Sequence, residues 1–402
     1  MRMENYNTNA MIHPLQAQWR ADTPGCARVA HLNNAGSSLP PAPVTQAAID
    51  YLSQEALLGG YELAARQADA IAGFYSAVAR LIGARPHQIA FAGSATDAYN
   101  RALSAILLRA GDVIVTTPDD YVSNQIAFLQ CRQKGVKIVR AKTLPEGGVD
   151  PEDVRRLIRE ERPALVAVTH VPTNSGLVQP IAEIGAHCRA AGVLYLVDAC
   201  QSAGQLPLDV EAIGCDFLSA TFRKFLRGPR GAGFLYVSDR VLETALAPGF
   251  LDLHSAQWTA PDIFEPAPDA RRFELWERNY ALVLAARAAA EYALGVGIPV
   301  IADHVRSLAG YARQALATLP GAQVLDRGGE LCGIVTAHFP NANPDALLEA
   351  LRLQGIHTSV STAGSARIDF AEKGVAWALR VSPHYYNTAE EIDALIAALK
   401  RI

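Results

Sequence analysis

Residues 216–231 read Asp216-Phe217-Leu218-Ser219-Ala220-Thr221-Phe222-Arg223-Lys224-Phe225-Leu226-Arg227-Gly228-Pro229-Arg230-Gly231, and the lysine at their centre decides how the rest is read. The chain holds six lysines, and five of them (Lys134, Lys137, Lys142, Lys373, Lys400) sit in polar or amphipathic stretches where a solvated ammonium belongs. Lys224 instead lies between Phe222 and Phe225, with Arg223, Arg227 and Arg230 close in sequence. Apolar surroundings and neighbouring cations both favour the neutral amine. A neutral amine is what Schiff-base chemistry with a carbonyl needs. Arg227 and Arg230 suit either a second anionic group on a substrate or the stability of the loop itself.

Working outward, the run Val193–Val197 is apolar throughout and ends in Asp198-Ala199-Cys200-Gln201, 26 residues before Lys224. A carboxylate at the end of a buried strand is costly unless paired. A protonated ring nitrogen would be such a partner, and capping of the next turn is the plain alternative. Further upstream, Gly93-Ser94-Ala95-Thr96-Asp97 follows the strand-like Ile89–Ala92 and opens a helix. Small residues at a helix N-terminus admit an anion to backbone N–H groups, although an ordinary N-cap reads the same way.

Ile89–Ala92, Val113–Thr116, Ala164–Thr169, Val193–Val197 and Gly233–Val237 are short runs rich in Val, Ile, Leu or aromatics, with amphipathic segments such as Pro151–Glu161 and Ile181–Ala191 between them. Strands apolar on both faces and separated by helices predict a mostly parallel sheet covered on two sides. In such sheets the ligand sits at the carboxyl ends of the strands, where the three motifs fall. Long helical patterns follow at Arg272–Leu294 and Pro299–Leu319. Beyond them come strands at Val324–Leu325, Gly333–Phe339, Thr358–Val360 and Ala376–Val381, with helices at Pro344–Gln354 and Ala389–Lys400. The expected division is an N-terminal segment (1–30), a large α/β domain (31–270), and a helix leading into a smaller α+β domain (271–402). Pro248–Pro268 reads as a long loop.

At 402 residues the chain is long for one core, and its balance of 50% hydrophobic and 19% charged residues is that of a soluble protein. A net charge of −4 argues against nucleic acid or an anionic membrane as partner. The polar stretch Met1–Gln18 carries no secretion signal. The six cysteines are widely spaced, with no metal-binding or disulfide pattern, which suits reduced thiols in the cytoplasm and no metal site.

The order phosphate loop, acid, lysine, with the wording of each motif, resembles the class V aminotransferase family of fold type I pyridoxal-phosphate enzymes, over residues 31–402. That group includes cysteine desulfurases, isopenicillin N epimerase and cysteine C–S lyases. The resemblance implies a seven-stranded large-domain sheet, pyridoxal 5′-phosphate as cofactor, a small amino-acid substrate and a homodimer with the site at its interface. It makes Lys224 the Schiff-base residue and Asp198 the partner of the pyridine nitrogen, both catalytic. It gives Gln201 and Asn174 (or, one residue earlier, Thr173) to the ring hydroxyl, Tyr121 to the ring face, and Ala95, Thr96, Thr221 and Arg223 to the phosphate. Arg223 stands where many relatives have histidine. Arg380 resembles the family's carboxylate-binding arginine, as a planar bidentate donor suits an amino acid. His31-Leu32-Asn33-Asn34-Ala35-Gly36 resembles the segment folded over the substrate, with Asn34 and Ala35 nearest. Leu251–Pro261, with Trp258 and Thr259, is the expected contact to a partner subunit.

Desulfurases carry a nucleophilic cysteine shortly before the carboxylate arginine. Here Ser359–Ala366 has none, and Cys332 is the nearest thiol in sequence. The wording around Lys224, with Arg272-Phe273-Glu274 and Tyr385-Tyr386-Asn387-Thr388, is similar to the C–S lyase and epimerase-like branch. The expected reaction is therefore β-elimination from an S-substituted cysteine or its sulfoxide, with Lys224 as general base. An aminotransferase or epimerase is the alternative, followed by a desulfurase or a non-catalytic cofactor-binding protein.

Overall fold

The computed structural model describes residues 13–401; most of the polar N-terminal stretch read above lies outside the described residues. Six largely buried runs and one half-buried run form the strands of one seven-stranded sheet. In chain order these are β1 (Ile89–Ala92), β2 (Val113–Thr116), β3 (Lys137–Arg140), β4 (Leu165–Thr169), β5 (Leu194–Asp198), β6 (Phe217–Thr221) and β7 (Gly233–Val237). Their spatial order is β1-β7-β6-β5-β4-β2-β3. Only β7 runs antiparallel to its neighbours. Helices cover both faces, and the sheet separates two large apolar clusters. The edge strand β3 was not expected, because Lys137 and Arg140 bracket a run that is only half-buried.

The helix expected from Arg272 begins at Tyr280, where Asn279 accepts a hydrogen bond from Leu282 N–H and caps it. Residues 272–278 are a polar anchor instead. Arg272 donates to the carbonyls of Leu242, Thr244, Leu246 and Ala267, and the buried Glu274 takes Phe91 N–H at 2.7 Å, Tyr75 Oη at 2.9 Å and an ion pair from Arg278. Pro248–Pro268 holds a hairpin, Ala256–Ala260 against Ile263–Pro266, rather than a bare loop.

The helices Tyr280–Val296 and Ile298–Ala317 bend by 79° at Gly297, whose φ of +93° suits glycine alone. The first packs on the large unit's helices Ala42–Leu58 and Ala68–Ile82. The second packs beneath a four-stranded antiparallel sheet formed by Gln323–Val324, Val335–His338, Trp377–Val381 and Ser359–Thr362. We therefore propose to draw the boundary at Gly297 rather than near residue 270. The N-terminal Ala30–His31 pairs in parallel with Ile356–His357 of the smaller unit, so the chain crosses that boundary twice. No single described helix is long and apolar enough to cross a membrane.

Gly233, where β7 begins, seats the sheet against the small-residue loop after β1. A Cβ there would lie 2.8 Å from Ala220 O and Ser94 C and 2.9 Å from Ala95 N, all backbone atoms. Gly233→Ala is expected to cost about 1–3 kcal/mol of stability, read as a lower denaturation midpoint in urea, and to weaken cofactor retention as the loop is displaced.

Candidate active site

The carboxyl ends of β1, β5 and β6 converge, as the alternating pattern requires. Ser94 caps the helix Ala95–Ala105 by accepting from Asp97 N–H at 3.1 Å. The N–H groups of Ala95 and Thr96, at the start of that helix, remain open to an anion. Thr221 closes β6 beside them, its hydroxyl 3.4 Å from Ala232 O.

Asp198, buried at the end of β5, accepts from Asn124 Nδ2 at 3.0 Å and from the N–H of Cys200 at 2.9 Å. Lys224 is 6% exposed, with no hydrogen bond or ion pair to its amine among the described residues, and its Nζ lies 5.8 Å from the centre of the Tyr121 ring. Burial pushes the pKa of Lys224 down; the negative charges nearby oppose this and Arg223 and Arg380 add to it. The turn carrying Lys224 is fixed by Arg227, which adopts a left-handed φ of +58° and is 1% exposed. Its guanidinium lies over Tyr386 (4.4 Å) and Tyr385 (5.0 Å) and donates to Tyr385 Oη, Thr23 Oγ1 and Leu39 O. Arg227 thus stabilises the loop, and Arg230 points to the surface.

Arg380 enters from the smaller unit, where burial draws its pKa down to about 10. Its Nη1 donates to Thr173 Oγ1 at 2.7 Å and Thr173 O at 3.0 Å, and its Nε to Ser359 Oγ at 3.1 Å. Gln201 Nε2 also reaches Thr173 Oγ1, at 2.9 Å, and Ala35 O, at 3.1 Å, while Gln201 Oε1 is buried without a partner. Thr173, rather than Asn174, therefore stands beside Gln201 and Arg380. The Asn174 amide is turned away to Asp369 at 2.6 Å, because that buried carboxylate needs donors. Asn34 is likewise structural: fully buried, it bonds Ser382 O at 2.8 Å and takes Tyr386 Oη at 2.5 Å. Its neighbour Asn33 approaches Arg380, at 3.4 Å. Ala35 stays at the site through Gln201, and Arg223 donates to Gly36 O, clamping the covering segment.

The sequence reading passed over Asn124 and Asp120. Asn124 falls one helical turn beyond Tyr121, a spacing that signals a shared face; nothing local marks Asp120. A buried lone amine, a carboxylate supplied only with donors, open N–H groups at a helix start and an orphaned amide oxygen fit pyridoxal phosphate: Lys224 for its aldehyde, Asp198 for its ring nitrogen, Ala95 and Thr96 for its phosphate.

These features define a pyridoxal-phosphate enzyme of fold type I. The family described as aminotransferase class-V matches residues 30–395, and the chain belongs to it. It is 30% identical to a probable cysteine desulfurase of Methanothermobacter thermautotrophicus, over 95% of this chain and 97% of that one. It is 29% identical to a probable hercynylcysteine sulfoxide lyase of Mycobacterium tuberculosis, over 96% of this chain and 93% of that one. Its fold superimposes on a cysteine desulfurase from Thermococcus onnurineus with a TM-score of 0.88 at 24% identity, covering 96% and 97% of the two chains.

The different settings of Thr173 and Asn174 separate their variants. Thr173→Val is expected to raise KM for the amino acid roughly tenfold with little change in melting temperature, having removed one polar contact at the site. Asn174→Ala is expected to lower the melting temperature, by a destabilisation of about 1–3 kcal/mol, as Asp369 loses a buried donor.

Proposed function

We propose that this enzyme is a C–S lyase that catalyses β-elimination from an S-substituted cysteine or cysteine sulfoxide. One observation carries the reading. The strand Ser359–Thr362 and the turn after it, which precede the strand bearing Arg380, contain no thiol, and the nearby thiols are buried or half-buried. Burial pushes Cys332 up to about 12, and burial together with the Asp198 charge pushes Cys200 further still. A protonated thiol is a poor nucleophile, so neither Cys332 nor Cys200 is suited to accept sulfur from a substrate. The relative named as a hercynylcysteine sulfoxide lyase supports the same reading.

Pyridoxal phosphate, when bound, supplies the electron sink that makes bonds at an amino acid's Cα labile. Lys224 holds it through its amine and, once released, takes the Cα proton. Asp198 keeps a proton at the ring nitrogen. Arg380 grips the substrate carboxylate through its two Nη groups, with Thr173 Oγ1 alongside. Gln201 braces Thr173 and the Ala35 carbonyl, and the segment from Asn33 to Ser38 excludes water. Net reaction converts the conjugate and water into a thiol (or sulfenic acid, from a sulfoxide), pyruvate and ammonium.

The reading is tested by incubating purified enzyme with cysteine conjugates and their sulfoxides. Pyruvate and sulfur product are expected in equal amounts. Conversion of the cofactor to its amine form would indicate an aminotransferase, and a protein-bound persulfide would indicate a desulfurase. Lys224→Ala is expected to abolish both turnover and the long-wavelength absorbance. Because the base must be the neutral amine, activity should fall as pH drops through the lowered Lys224 pKa.

The site is further proposed to lie in a homodimer. Phe250, Leu253, Trp258, Ile263 and Phe264 are more than half exposed around the hairpin, a patch too apolar for open water. Sedimentation should show a dimer, and Trp258→Asp with Phe264→Asp should yield monomer. Six unpaired thiols accord with a cytoplasmic location.

A further inference from the structure

Asp120 ends the stretch after β2 and has no part in the chemistry described so far. Its carboxylate is 5% exposed and surrounded by donors: Thr116 Oγ1 at 2.9 Å, Tyr121 N–H at 2.7 Å, Asn124 Nδ2 at 3.0 Å and the Thr169 hydroxyl. Asn124 Nδ2 has two hydrogens, and the second partner at 3.0 Å is Asp198 Oδ2. Its two close partners are carboxylates, which only accept, so the NH2 group must face them; a longer contact, 3.4 Å, reaches Thr169 Oγ1. The result is two buried carboxylates joined by one amide, with no lysine or arginine paired to either among the described residues. Burial, with some contribution from Asp198, raises Asp120 to about 6. A negative pair so enclosed calls for a cation at the remaining face of Asp198.

We propose that Asp120 is a positioning residue for the cofactor's ring nitrogen: it aims Asn124 at Asp198 and adds a second negative charge behind it, so that the ring is held in its protonated form. This rests on the assignment of Asp198 to the ring nitrogen. Asp120 also staples β2 to β4 through Thr116 and Thr169, so a purely structural role must be told apart from an electrostatic one.

The test uses the full-length enzyme stripped of cofactor and titrated with two probes. One is pyridoxal 5′-phosphate; the other is its deaza analogue, in which C–H replaces the ring nitrogen. Asp120→Asn, similar in shape but uncharged, is expected to weaken pyridoxal phosphate about ten- to a hundredfold, the range of a hydrogen bond to a charged group. Binding of the deaza analogue should be unchanged. Equal losses for both probes, or none, would overturn the inference. Asn124→Leu, which keeps both carboxylates but removes the link, should show the same selective loss and serves if Asp120→Asn does not fold. Asp198→Asn is run alongside. If Asp198→Asn fails to separate the probes, the ring-nitrogen assignment itself falls. If it separates them and Asp120→Asn does not, only the role of Asp120 falls.

Discussion

A lysine amine buried without an ion pair is unfavourable, and the structure around Lys224 is arranged to bear that cost. The amine sits in a turn between the adjacent strands β6 and β7, in a residue only 6% exposed. The turn is locked by Arg227, a second buried cation, whose charge is spread over two tyrosine faces and satisfied by Tyr385, Thr23 and Leu39. Cation–π contact of this kind is worth more away from water. One buried guanidinium thus ties together the lysine turn, the segment from Thr23 to Leu39 and the C-terminal tyrosines.

The second requirement is a negative charge at fixed distance from that amine. Register supplies it. Asp198 pairs with Ser219 across β5 and β6, and Thr169 pairs with Asp198 across β4 and β5, so β4 and β5 end level while β6 runs two residues further, to Thr221. The side chains just beyond those ends, Thr173, Gln201 and Lys224, then enclose a common space, and Arg380 closes it from the smaller unit.

Much of this was legible because buried strands of a parallel sheet announce themselves as unbroken apolar runs. Ile89–Ala92, Val113–Thr116 and Gly233–Val237 have the bounds their sequences suggest. Lys137–Arg140 was missed because an edge strand keeps its charged residues in water, and the hairpin at Ala256–Pro266 because its strands bury neither face. Lys224 and Asp198 stood out as polar residues in apolar company. Thr173 and Asn174 could not be separated, since both are small polar neighbours in one turn. Only the presence of Asp369, 195 residues away in sequence, decides which faces the site. Asn33 and Asn34 differ for a similar reason: the partners of Asn34, Ser382 and Tyr386, come from the far end of the chain.

The segment from Ala30 to Ser38 is hydrogen-bonded at one end to the smaller unit, through Ile356–His357 and Ser382, and at the other to the lysine turn, where Ser38 N–H meets Arg223 O at 2.8 Å. It spans the two bodies like a strap of fixed length. Any rotation of the C-terminal body would therefore stretch this strap or unfasten it, which ties such a rotation to the cover over the buried amine.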